Sequence, residues 1–388
     1  SWAKICRVEA MHRISDIYGS IIYTKFGQVT AEGGIEYDCQ EDAYNAFFTD
    51  LNDAIGVLTP LINSTSKPFA SFDLVYDGDF TKWVKFANSL RLRLAIRISK
   101  VDPNRAKLEA EAAVNHPVGI ITANSDNFLV RSDAGITHPL NVMDNAWNDI
   151  RMGAPMESIL KGYSDPRLPK YFEPSVVTPG TQKGIRQGIA IAAKSDYEGF
   201  STLTDLGNVQ LMTAAEVYFL RAEGALRNWN MGGTAQSLYE QGVQASFSQY
   251  GLGDATAYLA DATSSAIPYV DPVNAANNVT APGLSTATIK WNDGDAFETK
   301  LEKIITQKWI AMYPDGQEAW TEFRRTGYPK LFPVVVNNSG GKISTSAFIK
   351  RINFPVSEYS TNPDEVLKAV QCLNGPDNGG TSLWWDVD

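Results

Sequence analysis

Residues 301–329 constrain the fold most, because their pattern is that of two short helices folded back on each other. Apolar side chains of the first helix recur every three or four residues and so share one face, at Leu301, Ile304, Ile305 and Met312. Pro314 and Gly316 then favour a turn. The second helix is predicted to direct three residues inward, namely Ala319, Trp320 and Phe323. A helix pair with one apolar seam needs similar neighbours to cover that seam.

Three further helix pairs are predicted from the same kind of pattern. Each helix has an apolar face and is bounded by residues that favour helix ends. The pairs are residues 2–18 with 38–59, 80–100 with 103–116, and 211–228 with 234–250. Four such hairpins with short turns indicate a mostly α fold, a scaffold like an array of tetratricopeptide repeats.

Polar residues at the predicted helix ends are assigned to capping. Asp38 and Asp295 each precede a glutamate by three residues, which is the spacing of a capping pair. Asp79 is predicted to cap the helix over residues 80–100. Basic residues near helix C-termini are expected to interact with the helix dipole, namely Arg93, Arg97, Arg324 and Arg325.

Two long stretches, 120–207 and 251–294, lack a helical pattern and are rich in Gly, Pro, Asn, Ser and Thr. Loops of this length usually carry function or small structures of their own. We therefore expect one domain over residues 1–388. Its helical scaffold comprises 1–118, 208–250 and 295–330, an irregular insertion layer packs on it (119–207 and 251–294), and a C-terminal tail follows (331–388).

The composition argues against several classes of protein. A net charge of −10 argues against nucleic-acid binding, which needs clustered Lys and Arg. No apolar run approaches the ~18 residues of a membrane span. The three cysteines, Cys6, Cys39 and Cys372, are odd in number and widely spaced, which predicts single buried thiols rather than a disulfide framework. The chain opens within a helical pattern at Ser1, so we expect any targeting signal or lipid anchor to lie in residues ahead of it.

The sequence contains no motif typical of catalysis or of a bound cofactor. There is no HExxH, no Gly-rich phosphate loop and no GxSxG elbow, and the three histidines lack metal-site spacing. Glu216 and Glu223 share a helix face, but about 10 Å of helix rise separates them, and nearby Arg221 and Arg227 favour ion pairs instead. We predict no cofactor, no metal and no enzyme activity.

Aromatic residues of the insertions are the candidate ligand contacts. A sugar ring stacks its apolar face on Trp or Tyr, and its hydroxyls pair with Asn, Asp or Arg. Trp147 lies in an insertion among residues suited to such contacts, namely Asp144, Asn145, Asn148, Asp149 and Arg151. Tyr197 and Tyr269 are weaker candidates on the same argument.

The remaining tryptophans are assigned structural roles. Trp83, Trp309 and Trp320 fall on apolar helix stripes and are predicted to lie in the core. Trp384 and Trp385 are predicted to attach the C-terminal tail to the scaffold, and Trp291 is also predicted to be structural.

Taken in order, these segments resemble the SusD/RagB family, within its SusD-like branch from Bacteroidetes. The most specific pieces are DPRLPKYFEP (165–174), ITQKWIAMYPDGQEAWTEFRRTGYP (305–329) and SLWWD (382–386). Further matching stretches are 16–28, 37–54, 78–99, 212–227, 239–251 and 350–363. The resemblance therefore extends over nearly the whole chain.

The resemblance implies a binding protein anchored by lipid to the outer surface of the outer membrane. Such proteins deliver oligosaccharide to a SusC-like TonB-dependent transporter and contact the membrane only through the anchor. Cys6 lies within the first helix motif and is not the lipidated cysteine of the family. A peptide or protein receptor of the RagB type is the alternative, and a glycan hydrolase is a third hypothesis.

Overall fold

The computed structural model describes residues 1–132 and 135–387, and it confirms a mostly α fold. The longer helices are α1 (Trp2–Tyr18), α2 (Gln40–Leu58), α3 (Phe80–Arg97), α4 (Pro103–Val114), α5 (Ala154–Gly162), α6 (Ala214–Leu226), α7 (Ala235–Gln249), α8 (Phe297–Ala311), α9 (Gly316–Thr326) and α10 (Pro363–Gln371). Single turns of helix include Thr59–Leu61, Ala70–Phe72, Asn124–Asp126, Pro139–Asn141, Val142–Ala146, Leu168–Tyr171, Lys194–Asp196, Thr256–Leu259, Ala275–Asn277 and Glu358–Thr361. No helix of the described residues is both long and apolar enough to cross a bilayer.

Two short strands, β1 (Phe128–Val130) and β2 (Val209–Met212), form an antiparallel pair. Phe128 lies opposite Met212 and Val130 opposite Val209, with an irregularity after Phe128. The sequence pattern had placed residues 211 and 212 in the following helix, but that helix begins later, at Ala214. The strand pair joins the insertion layer to the start of α6.

Three of the predicted hairpins are closely packed helix pairs: α1 with α2, α3 with α4, and α6 with α7. Successive pairs also contact each other, because α2 packs on α3, α3 on α6, and α8 on both α6 and α7. A Cβ atom at Gly242 of α7 would lie 2.8 Å from the ring of Phe219 in α6, so this crossing requires glycine. The resulting stack buries a continuous core, as repeat architectures do.

The predicted cap at Asp79 is confirmed, and two further helix ends follow local chemistry. The side chain of Asp79 accepts a hydrogen bond from the backbone N–H of Lys82, and that of Asp102 from the N–H of Arg105. Gly327 closes α9 in the left-handed conformation, with φ of 79°.

Two predicted caps are wrong. Asp38 turns away from α2 and accepts hydrogen bonds from the backbone N–H groups of Tyr23 and Thr24, at 2.9 and 2.7 Å. Asp295 instead accepts a hydrogen bond from Lys303 Nζ at 2.8 Å. Both carboxylates therefore stabilise tertiary contacts rather than a helix end.

The predicted inward face of α9 is also wrong. Its buried face is polar, whereas the apolar side chains of Ala319, Trp320 and Phe323 are only half-buried. The buried residues are Glu318, Thr321, Glu322, Arg324 and Arg325. This helix therefore joins the scaffold through charge pairing and presents its apolar face toward the surface layer.

The charged face of α9 is buried because other helices supply partners. Arg97 of α3 donates a hydrogen bond to Glu318 at 2.6 Å, and Lys308 of α8 lies 3.2 Å from Glu322. Arg97 therefore serves inter-helix pairing, and the prediction that it merely offsets a helix dipole is wrong. A buried charge is tolerated only when it is paired in this way.

The insertion layer is attached to the scaffold by Arg167, which is fully buried. Its guanidinium donates hydrogen bonds to Asp165 at 2.6 Å, to the hydroxyl of Ser246 in α7 at 3.0 Å, and to Gln307 of α8 at 2.8 Å. A separate hydrophobic cluster under this layer includes Tyr171 and residues of α5 and α8. The layer is therefore rigidly packed, although its sequence lacks a periodic pattern.

The prediction of single buried thiols is wrong, because Cys39 and Cys372 form a disulfide and Cys6 is exposed on α1. The bond joins the start of α2 to the end of α10 across 333 residues of sequence. The tail is held at its end as predicted, since the Trp385 indole donates a hydrogen bond to Asp16 at 2.8 Å. Disulfide and indole together fix the tail against the first hairpin.

Candidate functional site

Trp147 follows a single π-helical turn, Val142–Ala146, and is 58% exposed. Its backbone N–H donates to the carbonyl of Val142, and the next residue, Asn148, has φ of 55°. Asparagine is one of the few residues that tolerate this left-handed conformation. Turns of π-helix are rare and occur frequently at functional sites. The local backbone thus places a large aromatic side chain in solvent rather than in the core.

The Trp147 loop is fixed from below by Asp144 and Arg151. The buried carboxylate of Asp144 accepts a hydrogen bond from the backbone N–H of Leu203 at 2.9 Å. Arg151 donates from Nη2 to the carbonyl oxygen of Glu198 at 2.8 Å, and its Nη1 lies 3.7 Å from Asp144. These two flanking residues, which the sequence pattern suggested as sugar contacts, position the loop.

Exposed polar groups surround Trp147. Asn145 and Asp149 are exposed, and Lys194 donates to Asp149 at 2.6 Å and to the Trp147 carbonyl at 3.0 Å. The Asn148 amide donates to the carboxylate of Glu198. Exposed ion pairs of this kind contribute at most about 1 kcal/mol, so these side chains can exchange partners when a ligand approaches.

A cavity of about 270 Å³ adjoins this loop. Asn148, Asp149 and Tyr197 line it, so the structure brings three of the predicted residues to one cavity. Arg151, which the sequence pattern also suggested, lines it too, whereas sequence reasoning missed Ile185, Ile191, Lys194 and Glu198. They lie 34 or more positions beyond Arg151, in a stretch without periodicity, and no local signal connects them to Trp147.

Tyr197 forms part of the wall of the cavity but is itself buried. Its hydroxyl donates to Asp271 at 2.9 Å and accepts from the amide of Asn277 at 3.2 Å. Burial, and secondly the hydrogen bond to Asp271, raise the pKa of Tyr197 to about 12. The hydroxyl is thus already satisfied, which leaves only ring edge for a ligand.

Tyr269 is 1% exposed, which contradicts its prediction as a ligand contact. Its hydroxyl donates to the carbonyl of Gly184 at 2.9 Å, and its ring packs 5.9 Å from that of Phe332. Lys183 lies over the same ring with Nζ 4.3 Å from the centroid. Tyr269 is therefore a core residue of the insertion layer.

A second cavity, of about 340 Å³, also has Arg151 in its wall and is otherwise lined mainly by apolar residues. Its aromatic walls are Tyr313 and three residues that the sequence pattern placed in the core, namely Trp309, Trp320 and Phe323. Trp320 and Phe323 reach this cavity because α9 buries its charged face, which leaves its apolar face free. Trp83, Trp291 and Trp385 are buried, as predicted.

The carboxylates considered for catalysis are both engaged in ion pairs. Glu216 accepts two hydrogen bonds from Arg93, and Glu223 accepts two from Arg325 at 2.7 and 2.6 Å. Among the described residues, no cluster of three or more His, Cys, Asp or Glu side chains could hold a metal ion. The described site can therefore stack on and hydrogen-bond a ligand, while Glu216 and Glu223 are held by arginines elsewhere in the scaffold.

The chain matches the family model for SusD-like proteins, described as Susd and RagB outer membrane lipoprotein, over residues 1–386. A solved chitin-binding SusD homologue from Flavobacterium johnsoniae is 50% identical with a TM-score of 0.96, over 100% of this chain and 80% of that chain. A SusD homologue from Bacteroides uniformis is 44% identical with a TM-score of 0.93, over 100% and 81% of the two chains. A SusD-like protein from Bacteroides thetaiotaomicron is 39% identical, also with a TM-score of 0.93 and coverages of 100% and 81%. No similar sequence was found among curated proteins.

Proposed function

The chain belongs to the SusD-like family of outer membrane lipoproteins, and on that premise we propose that it binds extracellular oligosaccharide without transforming it. The observation that carries the proposal is the exposure of Trp147 on a fixed loop, beside a cavity lined by both polar and apolar residues. An indole offers a flat apolar surface for one face of a pyranose, and the neighbouring amide, carboxylate and ammonium groups match its hydroxyls.

The size of the site favours an oligosaccharide over a single sugar. One aromatic stack contributes about 1 kcal/mol, so several rings and hydrogen bonds must act together to outweigh the entropy lost on association. The aromatic cavity at Trp309 and Trp320 supplies further surface close to Arg151, which lines both cavities. We propose that Trp147, Asn145, Asn148 and Asp149 contact the ligand directly.

Chitin oligosaccharides are the first ligands to test. The solved homologue from Flavobacterium johnsoniae is described as chitin-binding and is 50% identical to this chain over the 80% of its length that aligns. The acetamido group of N-acetylglucosamine adds both a methyl group for an aromatic surface and an amide for hydrogen bonding. The Trp147 site presents groups of both kinds.

We propose that the protein acts at the cell surface, held by a lipid anchor, and delivers its ligand to a SusC-like TonB-dependent transporter. The family description as outer membrane lipoproteins supports this location. The disulfide between Cys39 and Cys372 is consistent with it, because disulfides form and persist in oxidising compartments outside the cytoplasm.

A peptide or protein receptor remains the rival hypothesis, since the matching family model also covers RagB. The structural feature that favours it is the apolar cavity of about 640 Å³ between α9 and the tail, lined by Trp320, Phe323 and Phe348. A glycan array compared with a peptide library separates the two hypotheses. Binding to peptides alone would overturn the proposal.

The decisive variant is Trp147→Ala, measured by calorimetric titration with chitin oligosaccharides. We expect about a fivefold to tenfold loss of affinity, which corresponds to one aromatic stack, and an unchanged melting temperature. Phe26→Ala is the matched control, because Phe26 is an exposed aromatic residue outside the site. Unchanged affinity in Trp147→Ala would remove this residue from the site, and reducing ends released from a glycan mixture would contradict a non-enzymatic role.

A further inference from the structure

Another cleft, of about 540 Å³ and separate from the cavities described above, lies between residues 286–291 and the first turns of α8. None of its lining residues lines the cavity of about 270 Å³ beside the Trp147 loop. Burial alternates along the first wall, because Ala287, Ile289 and Trp291 are buried while Thr286 and Lys290 are exposed. The more exposed polar residues Thr286, Thr288 and Lys290 line the cleft, and Ala287 and Trp291 complete this wall.

The opposite wall is one face of α8. Thr299, Glu302 and Lys303 are spaced three and four residues apart and so lie together on the helix surface. Within the part of the chain that the structure describes, the hydroxyls of Thr286, Thr288 and Thr299 make no hydrogen bond to another residue. Hydroxyls of this kind on both walls can donate to and accept from a ligand.

The cleft contains a buried charged side chain, that of Lys303. The residue is 5% exposed, and Nζ donates to the carbonyl of Lys290 at 2.7 Å and to Asp295 at 2.8 Å. An ammonium group has three N–H donors, so one of them lacks an acceptor among the described residues. A buried, charged donor that two partners already hold in place can donate its remaining N–H to a ligand oxygen without further ordering.

The charges of the cleft identify the chemical class of the ligand. Lys290 and Lys303 are balanced by Asp295 and Glu302, so neither an anion nor a cation is favoured overall. The indole of Trp291 also lines the cleft and provides apolar surface, its Nε1 being held by Asp293 at 2.8 Å. Mixed donors and acceptors around a partly apolar surface fit a neutral, polyhydroxylated molecule, and the volume lies within the ~300–1,000 Å³ of small-molecule sites.

We propose that this cleft is a second saccharide-binding site, which takes a neutral sugar unit. The inference rests on the proposed function, since both sites require a carbohydrate ligand. Two sites on one rigid protein can bind the same glycan molecule or two different ones. When one glycan binds both sites, its second contact occurs at a high effective concentration. The cleft thereby raises retention of long glycans more than that of short ones.

The test uses the full chain with the tetrasaccharide of N-acetylglucosamine, followed by hydrogen exchange and by titration. In Trp147→Ala, we expect ligand-dependent protection to persist in residues 286–303. Adding Thr288→Val and Thr299→Val should remove that protection and weaken the remaining affinity about fivefold or more, because two hydroxyl contacts are lost. Melting temperatures should stay unchanged, since neither hydroxyl has a partner within the described protein.

Thr280→Val serves as the matched control, because Thr280 is exposed and does not line the cleft. Protection confined to residues 144–151 and 194–198 would overturn the second site and leave the proposed function intact. Protection in neither region would overturn the proposed function for this ligand, and the second site with it. The two failures are therefore distinguishable.

Discussion

Arg93 and Glu216 form a bidentate ion pair, in which Nε and Nη2 of the arginine each donate a hydrogen bond of 2.8 Å to one carboxylate oxygen. The residues lie 123 positions apart, on α3 and α6, and both are buried. Nη1 of the same arginine lies 3.5 Å from Glu9 of α1. One guanidinium therefore connects three helices at the centre of the scaffold, and Glu216 is held as a structural carboxylate.

Removing Glu216 should destabilise the protein strongly. Glu216→Ala leaves the buried Arg93 without its main partner, and a broken buried ion pair costs about 3–5 kcal/mol. The measurement is the unfolding midpoint in guanidinium chloride. Lys107→Ala is the control, since Lys107 and Glu111 form a more exposed pair at 3.9 Å whose loss should cost about 0–1 kcal/mol. Equal stability of Glu216→Ala and wild type would show that the pair contributes nothing.

Protonation of His12 should make stability depend on pH. Burial by itself lowers the pKa of His12, but hydrogen bonds with Asp16 and Glu9 outweigh it, so the pKa is raised above 6.5. The folded state therefore favours the imidazolium. This contribution is fully present below about pH 6.5 and is lost as the pH rises through the raised pKa of the folded state.

The expected measurement is the difference in melting temperature between wild type and His12→Gln, followed from about pH 5 to about pH 9. The advantage of wild type should shrink as the pH rises. His116→Gln should show the opposite trend, because burial and, secondly, Arg91 lower the pKa of His116. A difference for His12→Gln that stays constant with pH would contradict the protonation.

Loss of the disulfide should release the C-terminal tail from the first hairpin. Cys372→Ser removes the cross-link between residues 333 positions apart, and removing a disulfide typically lowers the free energy of unfolding by about 2–5 kcal/mol. Differential scanning calorimetry should show a lower transition temperature, and a reducing agent should bring wild type to the same value. Cys6→Ser should melt like wild type, since Cys6 is free. Identical melting of Cys372→Ser and wild type without reductant would mean that the bond does not form.

The backbone at Asn148 should determine how Trp147 is presented. Asn148→Val places a β-branched residue at φ of 55°, where strain amounts to about 1–3 kcal/mol, whereas Asn148→Gly tolerates this conformation. Both variants remove the amide, so any difference between them reports the backbone alone. Titration with chitin oligosaccharides should show weaker binding by Asn148→Val than by Asn148→Gly. Equal affinities would show that the left-handed residue does not position Trp147.

Local patterns sufficed for the apolar stripes of the scaffold helices and for some of their ends. The apolar stripes of α2 and α3, the cap at Asp79 and the closing Gly327 act over three to five residues, so their physical causes lie within the sequence window. Trp147 was singled out because it lies in an aperiodic polar stretch outside the helical stripes; the structure exposes it, and its contact with a ligand stays a prediction. Motif order over the whole chain indicated the family, and the family model confirms it.

The sequence by itself determined roughly where the scaffold helices lie, that three pairs of them form hairpins, and which family the chain belongs to. Only the tertiary structure decided that α9 buries its charges, that Cys39 meets Cys372, and that Tyr269 lies in the core. It also decided that Glu198 and Lys194 contact the loop that carries Trp147. The physical reason is distance along the chain. A charge, thiol or hydroxyl is buried only where a partner neutralises or bonds it, and here the partners lie on segments that sequence patterns cannot bring together.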